Sequence, residues 1–266
     1  MLSETASELL KFAPGGVHRS LRSATRQAKN LLLPPACMAC NGATAMPDGL
    51  CQACWSGIRF IEKPWCAVLG SPFSYELGDG VLSAGAIANP PSFDRARSVM
   101  LYDDAARRLV RNLKFSDRTD LAPGLAGWMA RFAERAGEGM LQADCLIVPV
   151  PLHWRRLLQR RYNQSAELAR NLAKGNGLAY RPELLTRIRP TRQQVGLGRK
   201  ERLKNVGGAF RVPIDQKADL AGRTVVLIDD VFTTGATLDA CARALRRAGA
   251  ARIDCLTLAR VAPGDM

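Results

Sequence analysis

An α/β fold, with a parallel sheet flanked by helices and a small cysteine-rich domain ahead of it, is what this sequence predicts. Three observations carry the prediction. The four consecutive apolar residues from Val225 to Ile228 have the character of a strand buried on both faces. From about residue 91 such runs alternate with segments of helical period, the rhythm of a parallel sheet covered by helices. Before that point, short pieces broken by Gly and Pro carry two C-x-x-C pairs.

Taken in order, residues 1–34 read as a basic amphipathic leader helix. Val17, Leu21, Ala24, Ala28 and Leu31 recur at helical spacing, and Arg19, Arg22, Arg26 and Lys29 form a second stripe. Such a helix packs on its own protein, lies on an acidic membrane or docks on a partner. Pro34-Pro35 ends it. Glu4, Glu8 and Lys11 interrupt any signal-peptide core, and no run of about 18 apolar residues occurs. A cytoplasmic protein without a transmembrane segment is therefore expected.

Residues 35–90 hold five of the eight cysteines. Cys37-Met38-Ala39-Cys40 and Cys51-Gln52-Ala53-Cys54 are paired knuckles, and four thiolates on two tight turns can surround one Zn²⁺ tetrahedrally. Four thiolates leave no open coordination position, so the ion is expected to be structural. Cys66 stands alone, because Leu69 takes the place of a knuckle's second cysteine, and it reads as a leftover thiol. Cys145, Cys241 and Cys255 lie in apolar or helical contexts and read as packed core thiols.

Residues 91–262 form the second domain. Helical periods run over 103–114, with Ala106, Leu109, Val110 and Leu113 on one face, over 121–136 and over 164–174. Buried strands are expected at 145–148, 225–228 and 253–258. After Ile228 come Asp229 and Asp230, then Val231-Phe232-Thr233-Thr234-Gly235-Ala236-Thr237, then a helical face of Leu238, Ala242, Leu245 and Ala248. Strand, acidic pair, small-residue loop and helix N-terminus make a phosphate cradle. Unpaired loop amides point at an anion, and the helix dipole adds to the attraction. Gly235 lets the backbone approach closely, while Thr233, Thr234 and Thr237 offer hydroxyl donors. Asp229 and Asp230 suit vicinal hydroxyls or a Mg²⁺ shell. A P-loop NTPase would need a G-x-x-x-x-G-K-[ST] run, and the nearest stretch, Gly196 to Lys200, does not fit it.

The strand at 145–148 leads into Pro149-Val150-Pro151-Leu152-His153-Trp154-Arg155-Arg156 and on as a loop to Arg160 and Arg161. Both loops would leave the same edge of the sheet, where open α/β sheets bind ligands. Leu152, His153, Arg155, Arg156 and Arg161 are therefore read as a pyrophosphate loop, since a guanidinium grips two phosphate oxygens at once. A third basic stretch, Thr191 to Phe210, carries Arg199, Lys200 and Arg202 among glycines. It reads as a mobile loop that closes over ligand, or as a platform for single-stranded DNA, although Phe210 is its only aromatic residue. A net charge of +14 and a pI near 9.9 favour anionic partners without choosing among them.

The run 225–237 resembles, without gaps, the signature of type I phosphoribosyltransferases. Further motifs join it: the four knuckle cysteines, Pro91-Ser92-Phe93-Asp94-Arg95-Ala96-Arg97, Leu113-Lys114-Phe115 and Val148-Pro149-Val150-Pro151-Leu152. Arg161-Tyr162-Asn163-Gln164, Gln194 with Leu197, and Arg202 with Asn205 complete the set. Over about residues 36–262 the chain resembles the ComF family, phosphoribosyltransferase-like proteins associated with competence for DNA uptake. The resemblance implies a type I phosphoribosyltransferase-like domain behind a zinc ribbon, with phosphoribosyl pyrophosphate (PRPP) and Mg²⁺ as ligands. Asp229 and Asp230 would be the catalytic pair holding the ribose 2- and 3-hydroxyls, and residues 233–237 would hold the 5-phosphate. Phosphoribose would pass through an oxocarbenium-like state to an acceptor chosen by a hood from residues 91–120 and the mobile loop. The resemblance also implies single-stranded DNA and a helicase-type competence protein as candidate partners. Family members often carry a second group of four cysteines. Here Leu69, Ser83 and Ala86 stand at three of those positions, so apolar packing is expected in place of a second metal. Three classes stay open: a transferase, a non-catalytic nucleotide- or DNA-binding module, and a zinc-ribbon docking scaffold.

Overall fold

The apolar runs assemble into a five-stranded sheet in which every pairing is parallel. The computed structural model describes residues 35–44, 48–115, 118–160, 162–191 and 199–262, so the predicted leader over 1–34 and Arg161 lie outside the described residues. The cysteine-rich part holds α1 (Gln52–Ser56) and α2 (Ala84–Ala88). Then follow β1 (Arg95–Leu101), α3 (Asp104–Phe115), α4 (Ala122–Arg135), β2 (Leu146–Pro149), α5 (Trp154–Arg160), α6 (Gln164–Asn176) and β3 (Ala179–Tyr180). A small antiparallel pair, β4 (Thr186–Arg187) and β5 (Phe210–Arg211), brackets α7 (Arg199–Val206). The last elements among the described residues are α8 (Lys217–Leu220), β6 (Thr224–Phe232), α9 (Ala236–Arg247) and β7 (Arg252–Arg260).

The sheet order is β1-β7-β6-β2-β3. Successive side chains of a strand point to opposite faces. Along β6, Val226 and Ile228 join Leu125, Met129, Leu168 and Leu172 of α4 and α6, whereas Val225 and Leu227 join Leu238, Cys241 and Leu245 of α9. From β2 the chain steps outward to β3 and then returns on the other side of β2 as β6. The sheet therefore reverses its winding between β2 and β6, and a crevice opens beyond their carboxyl ends.

Three stretches differ from expectation. β6 does not stop at Ile228 but runs through Asp229 and Asp230 to Phe232. Its last pair with β2 is Ile228 opposite Pro149, while β7 accompanies it to Phe232 opposite Arg260. One edge of the strand is thus open where the carboxylates begin, and polar side chains can sit there. The segment after His153 is not a loop but the helix α5, begun by the Arg156 and Leu157 amides bonding to the His153 carbonyl at 2.8 and 3.0 Å. The expected mobile stretch contains α7, whose Arg199, Lys200 and Arg202 side chains lie outside the described residues.

The cysteine-rich part shares the core of the larger domain. Met38 belongs to the same buried apolar cluster as Leu109, Leu113 and Met129. The segment before Glu62 lies antiparallel along β1, with Ile61 N bonded to Val99 O and Leu101 N to Arg59 O, both at 2.9 Å. That contact covers part of an otherwise open sheet edge. No helix among the described residues is long and apolar enough to cross a membrane.

Candidate functional site

The crevice between β2 and β6 holds a cavity of about 320 Å³. Asp229 and Asp230 line it from β6, with Thr233, Gly235 and Thr237 beyond them. Gly235 takes a left-handed φ of +77°, and a Cβ there would stand 2.8 Å from the Phe232 ring. Only glycine lets the chain turn so tightly over that ring. Among the described residues the main-chain N–H groups of Thr233, Thr234 and Gly235 have no protein acceptor, and that of Ala236 reaches only Thr234 Oγ1 at 3.5 Å. These donors sit at the positive end of the twelve-residue helix α9, which no side chain caps. Thr234 faces a neighbouring cavity, and Ala236 is buried.

The acidic pair is held from two directions. Ser165 Oγ donates to Asp229 Oδ1 at 2.8 Å, and the Asp230 amide reaches the same oxygen at 2.9 Å. Lys114 Nζ lies 2.8 Å from Asp230 Oδ2. Burial, and then the charge of Asp230, push the Asp229 carboxyl up to about 7, against the pull of Ser165 and Lys114. Burial works to lower the Lys114 ammonium, but the charges of Asp230 and Asp229 outweigh it and raise it.

The turn between α5 and α6 places these partners. Asn163 caps α6 by accepting from Ser165 N at 3.1 Å and donates to Val150 O at 3.0 Å. Tyr162 donates its hydroxyl to the Leu113 carbonyl, and Gln164 Nε2 donates to Lys114 O at 3.4 Å. The tail of α3 is thereby fixed and Lys114 delivered to Asp230. Lys114 and Ser165 stand 116 and 64 residues from their carboxylate partners and could not be found by local reading.

The helical form of α5 sorts the arginines. Arg156 and Arg160 are one turn apart and both line the cavity with Leu152. Arg155 instead lies over the exposed Trp154 ring, 5.3 Å from its centroid. His153 is buried beside Trp154 and accepts from Arg155 N at 3.4 Å, so it does not line the cavity. Burial and the charges of Arg155, Arg187 and Arg156 hold its imidazole below the ordinary range. Arg187, which sequence reasoning missed, enters from β4. It stacks on Phe210 at 5.2 Å and donates to the Thr191 hydroxyl, leaving Nε without a partner. Burial, then the charge of Arg156, lower its guanidinium.

Comparison with known proteins fits this geometry. A family model described as "Double zinc ribbon domain" matches residues 28–87, and one described as "Phosphoribosyl transferase domain" matches residues 182–264. DNA utilization protein YhgH of Salmonella typhimurium is 32% identical over 233 residues, covering 86% of this chain and 99% of that protein. Competence protein F of Haemophilus influenzae is 29% identical, covering 84% and 96%, and Competence protein ComFC of Bacillus subtilis is 28% identical, covering 80% and 85%. The chain belongs to the ComF family.

This ComF chain also carries the structural zinc centre that its knuckles predict. The Sγ atoms of Cys37, Cys40, Cys51 and Cys54 all lie within 4.8 Å of one another, with Cys40 and Cys51 3.7 Å apart. Zn–S bonds of about 2.3 Å in a tetrahedron place sulfurs roughly 3.8 Å apart, so the cluster fits the ion. Burial works to raise the Cys37 thiol, but the amides of Cys40, Cys51 and Ala39 outweigh it and draw it down to about 6. Burial and the neighbouring thiols push Cys54 the other way, up to about 12, so the four thiols lose their protons one after another rather than together. Cys145, Cys241 and Cys255 are fully buried, and burial pushes each thiol up, Cys145 to about 11.

Proposed function

We propose that this ComF protein binds PRPP at the head of β6 and transfers its phosphoribosyl group to an acceptor. The reading rests chiefly on the unsatisfied amides of Thr233, Thr234 and Gly235 beside a carboxylate pair, one member buried and the other half-buried, at the point where the sheet reverses. Amides without acceptors are costly unless water or a ligand completes them, and an anion does so best at a helix N-terminus. Asp229 and Asp230 accept hydrogen bonds from the ribose hydroxyls. Arg156, Arg160 and Arg187 face them and bind the leaving pyrophosphate, whose growing charge they stabilise more than they stabilise the bound substrate. As the C1–O bond breaks, the departing oxygen keeps the electron pair and the acceptor's lone pair forms the new bond to C1. Two carboxylates share one lysine, so the pair has room for added positive charge; it would hold the Mg²⁺ that accompanies the substrate, which would neutralise the pyrophosphate. Calorimetry is expected to show saturable PRPP binding that chelating Mg²⁺ weakens, and candidate acceptors should then release pyrophosphate. No heat with millimolar PRPP would sink the reading.

A second reading, single-stranded DNA binding, is favoured by a separate groove. Trp55, Phe60 and Trp128 meet with centroids 5.1 to 6.0 Å apart, Trp65 packs tilted against Phe132 at 5.9 Å, and the cavity among them is about 520 Å³. Lys63, Arg131 and Arg135 rim it, with Glu62 the one opposing carboxylate in the lining. Aromatic faces flanked by cations are what unstacked bases and their phosphates require. Trp55, 54% exposed, is the cleanest probe. Trp55→Ala is expected to cost about 1–3 kcal/mol in binding of oligo(dT). Arg131→Gln/Arg135→Gln should lower the slope of log affinity on log salt by about 1.4. Unchanged binding in both variants would remove the groove from consideration.

A further inference from the structure

The second half of the ribbon keeps the backbone of a metal knuckle without its ligands. In the first knuckle Cys37 N bonds to Gly42 O at 2.7 Å and Asn41 N to Cys37 O at 2.9 Å, with Ala36 bridged to Ala43 and Asn41 at φ +62°. The second repeats this five-residue pattern: Cys66 N to Ser71 O and Gly70 N to Cys66 O, both at 2.8 Å, Trp65 bridged to Pro72, and Gly70 at φ +63°. The partner turns match as well, with Trp55 N bonded to Cys51 O at 2.9 Å and Ile87 N to Ser83 O at 3.1 Å. Leu69, Ser83 and Ala86 therefore stand where Cys40, Cys51 and Cys54 stand in the first. One sulfur remains, and it accepts from Ser83 N at 3.2 Å and Leu69 N at 3.4 Å. A second zinc does not fit three such residues.

A cation nevertheless reaches this knuckle. Arg260, the last residue of β7, is 2% exposed. Its Nη1 donates to Leu69 O at 2.5 Å, its Nε has no partner, and the nearby Cys66 sulfur favours its charged form. Burial pulls its guanidinium down to about 10, which leaves it charged at neutral pH. The same guanidinium lies 4.8 Å from the centroid of the Phe232 ring, the surface over which Gly235 turns. Phe93 braces that ring edge-on at 6.3 Å.

We propose that Arg260 stands in for the second zinc, fastening the metal-free knuckle to the sheet, and that by holding Phe232 it is a positioning residue for the phosphate loop. The second half of this proposal rests on the reading of residues 233–237 as a phosphate cradle. A buried cation–π contact of this kind corresponds to roughly 10- to 30-fold in an equilibrium.

Ribose 5-phosphate binding by calorimetry and amide exchange without ligand test it together on full-length Arg260→Met, Arg260→Lys, Phe232→Leu and the Arg260→Met/Phe232→Leu double variant. All measurements are made well below every variant's unfolding midpoint. Arg260→Met is expected to weaken binding roughly 10- to 30-fold, Arg260→Lys less because it keeps the cation, and the double variant no more than Arg260→Met alone. Protection of the Asp239 and Val261 amides, whose acceptors are the Gly235 and Phe232 carbonyls, should fall in Arg260→Met. Metal analysis should find one zinc per chain throughout. Wild-type affinity and protection in Arg260→Met, additive losses in the double variant, or two zincs per chain would each overturn the proposal. If wild type binds no ribose 5-phosphate while protection still falls in Arg260→Met, the cradle reading fails and Arg260's hold on the loop stands.

Discussion

Asp229→Asn is expected to leave the fold intact at neutral pH, to weaken Mg²⁺-dependent binding of PRPP on the order of 100-fold, and to remove the pH dependence of that binding. The asymmetry of the acidic pair is the reason. Asp229 is half-buried beside a second carboxylate and its carboxyl is pushed up to about 7, so near neutrality the site already holds it partly protonated. Asparagine mimics that neutral form at little cost to folding. An unfolded aspartate titrates near 3.9. Because the folded value is the higher one, the native state holds more protons between the two. The associated stability is complete below about pH 4 and is lost as pH rises through about 7, to a total of roughly 4 kcal/mol. Asp229→Asn should flatten that decline. Ligand cations favour the ionised carboxyl, so wild-type affinity is expected to rise with pH up to about 7 and then level off. Asp230→Asn is a different experiment: it strips the half-buried Lys114 of its closest partner while Asp229 stays nearby, and should cost about 1–3 kcal/mol of stability. Calorimetry and thermal melts of both variants from pH 5.5 to 8.5 check this. Wild-type affinity in Asp229→Asn, or a flat wild-type profile, would refute the assignment of Asp229.

How much of this was legible beforehand depends on the range over which each feature is encoded. The zinc knuckles are local, so spacing alone revealed them. β2, β6 and β7 announced themselves because strands buried on both faces must be apolar. β1 is just as buried yet went unread, since its Arg95, Arg97 and Ser98 look like surface residues. They are matched by Asp254 at 2.8 Å, Glu138 at 2.6 Å and Thr257 at 2.6 Å, partners that β7 and the turn after α4 supply only on folding. The glycine turn at 233–237 at the head of α9 could be located from sequence, but the lysine, serine and β4 arginine that complete the cavity come from distant segments. Of the residues 91–120 expected to form a hood, Tyr102 and Lys114 line the cavity, and 95–101 is the sheet's edge strand instead.

Removing zinc should reach the proposed sugar-phosphate site, because the ribbon and the cavity share one helix. Asn112 of α3 donates Nδ2 to the carbonyls of Met38 and Ala39, at 2.9 and 3.0 Å, inside the first knuckle. Two residues further on, the same helix presents Lys114 to Asp230. Met38 itself is 1% exposed and fills the core beneath α3. A knuckle that opens withdraws both the acceptors of Asn112 and a buried side chain, and deleting such a side chain alone costs about 2–5 kcal/mol. Structural zinc contributes about 10–16 kcal/mol in isolated finger peptides, and here part of that is expected to appear as global stability. Cys37→Ser is therefore expected to lose its zinc and to lower the unfolding midpoint on the order of 10 °C or more. It should also weaken ribose 5-phosphate binding at temperatures where the chain is still folded, through the loosened end of α3. Metal analysis, calorimetric melts and ligand titration of the one variant separate these effects. A Cys37→Ser protein that keeps its zinc would overturn the ligand set. One that loses zinc but binds ligand as wild type does would show that α3 does not carry the disturbance to Asp230.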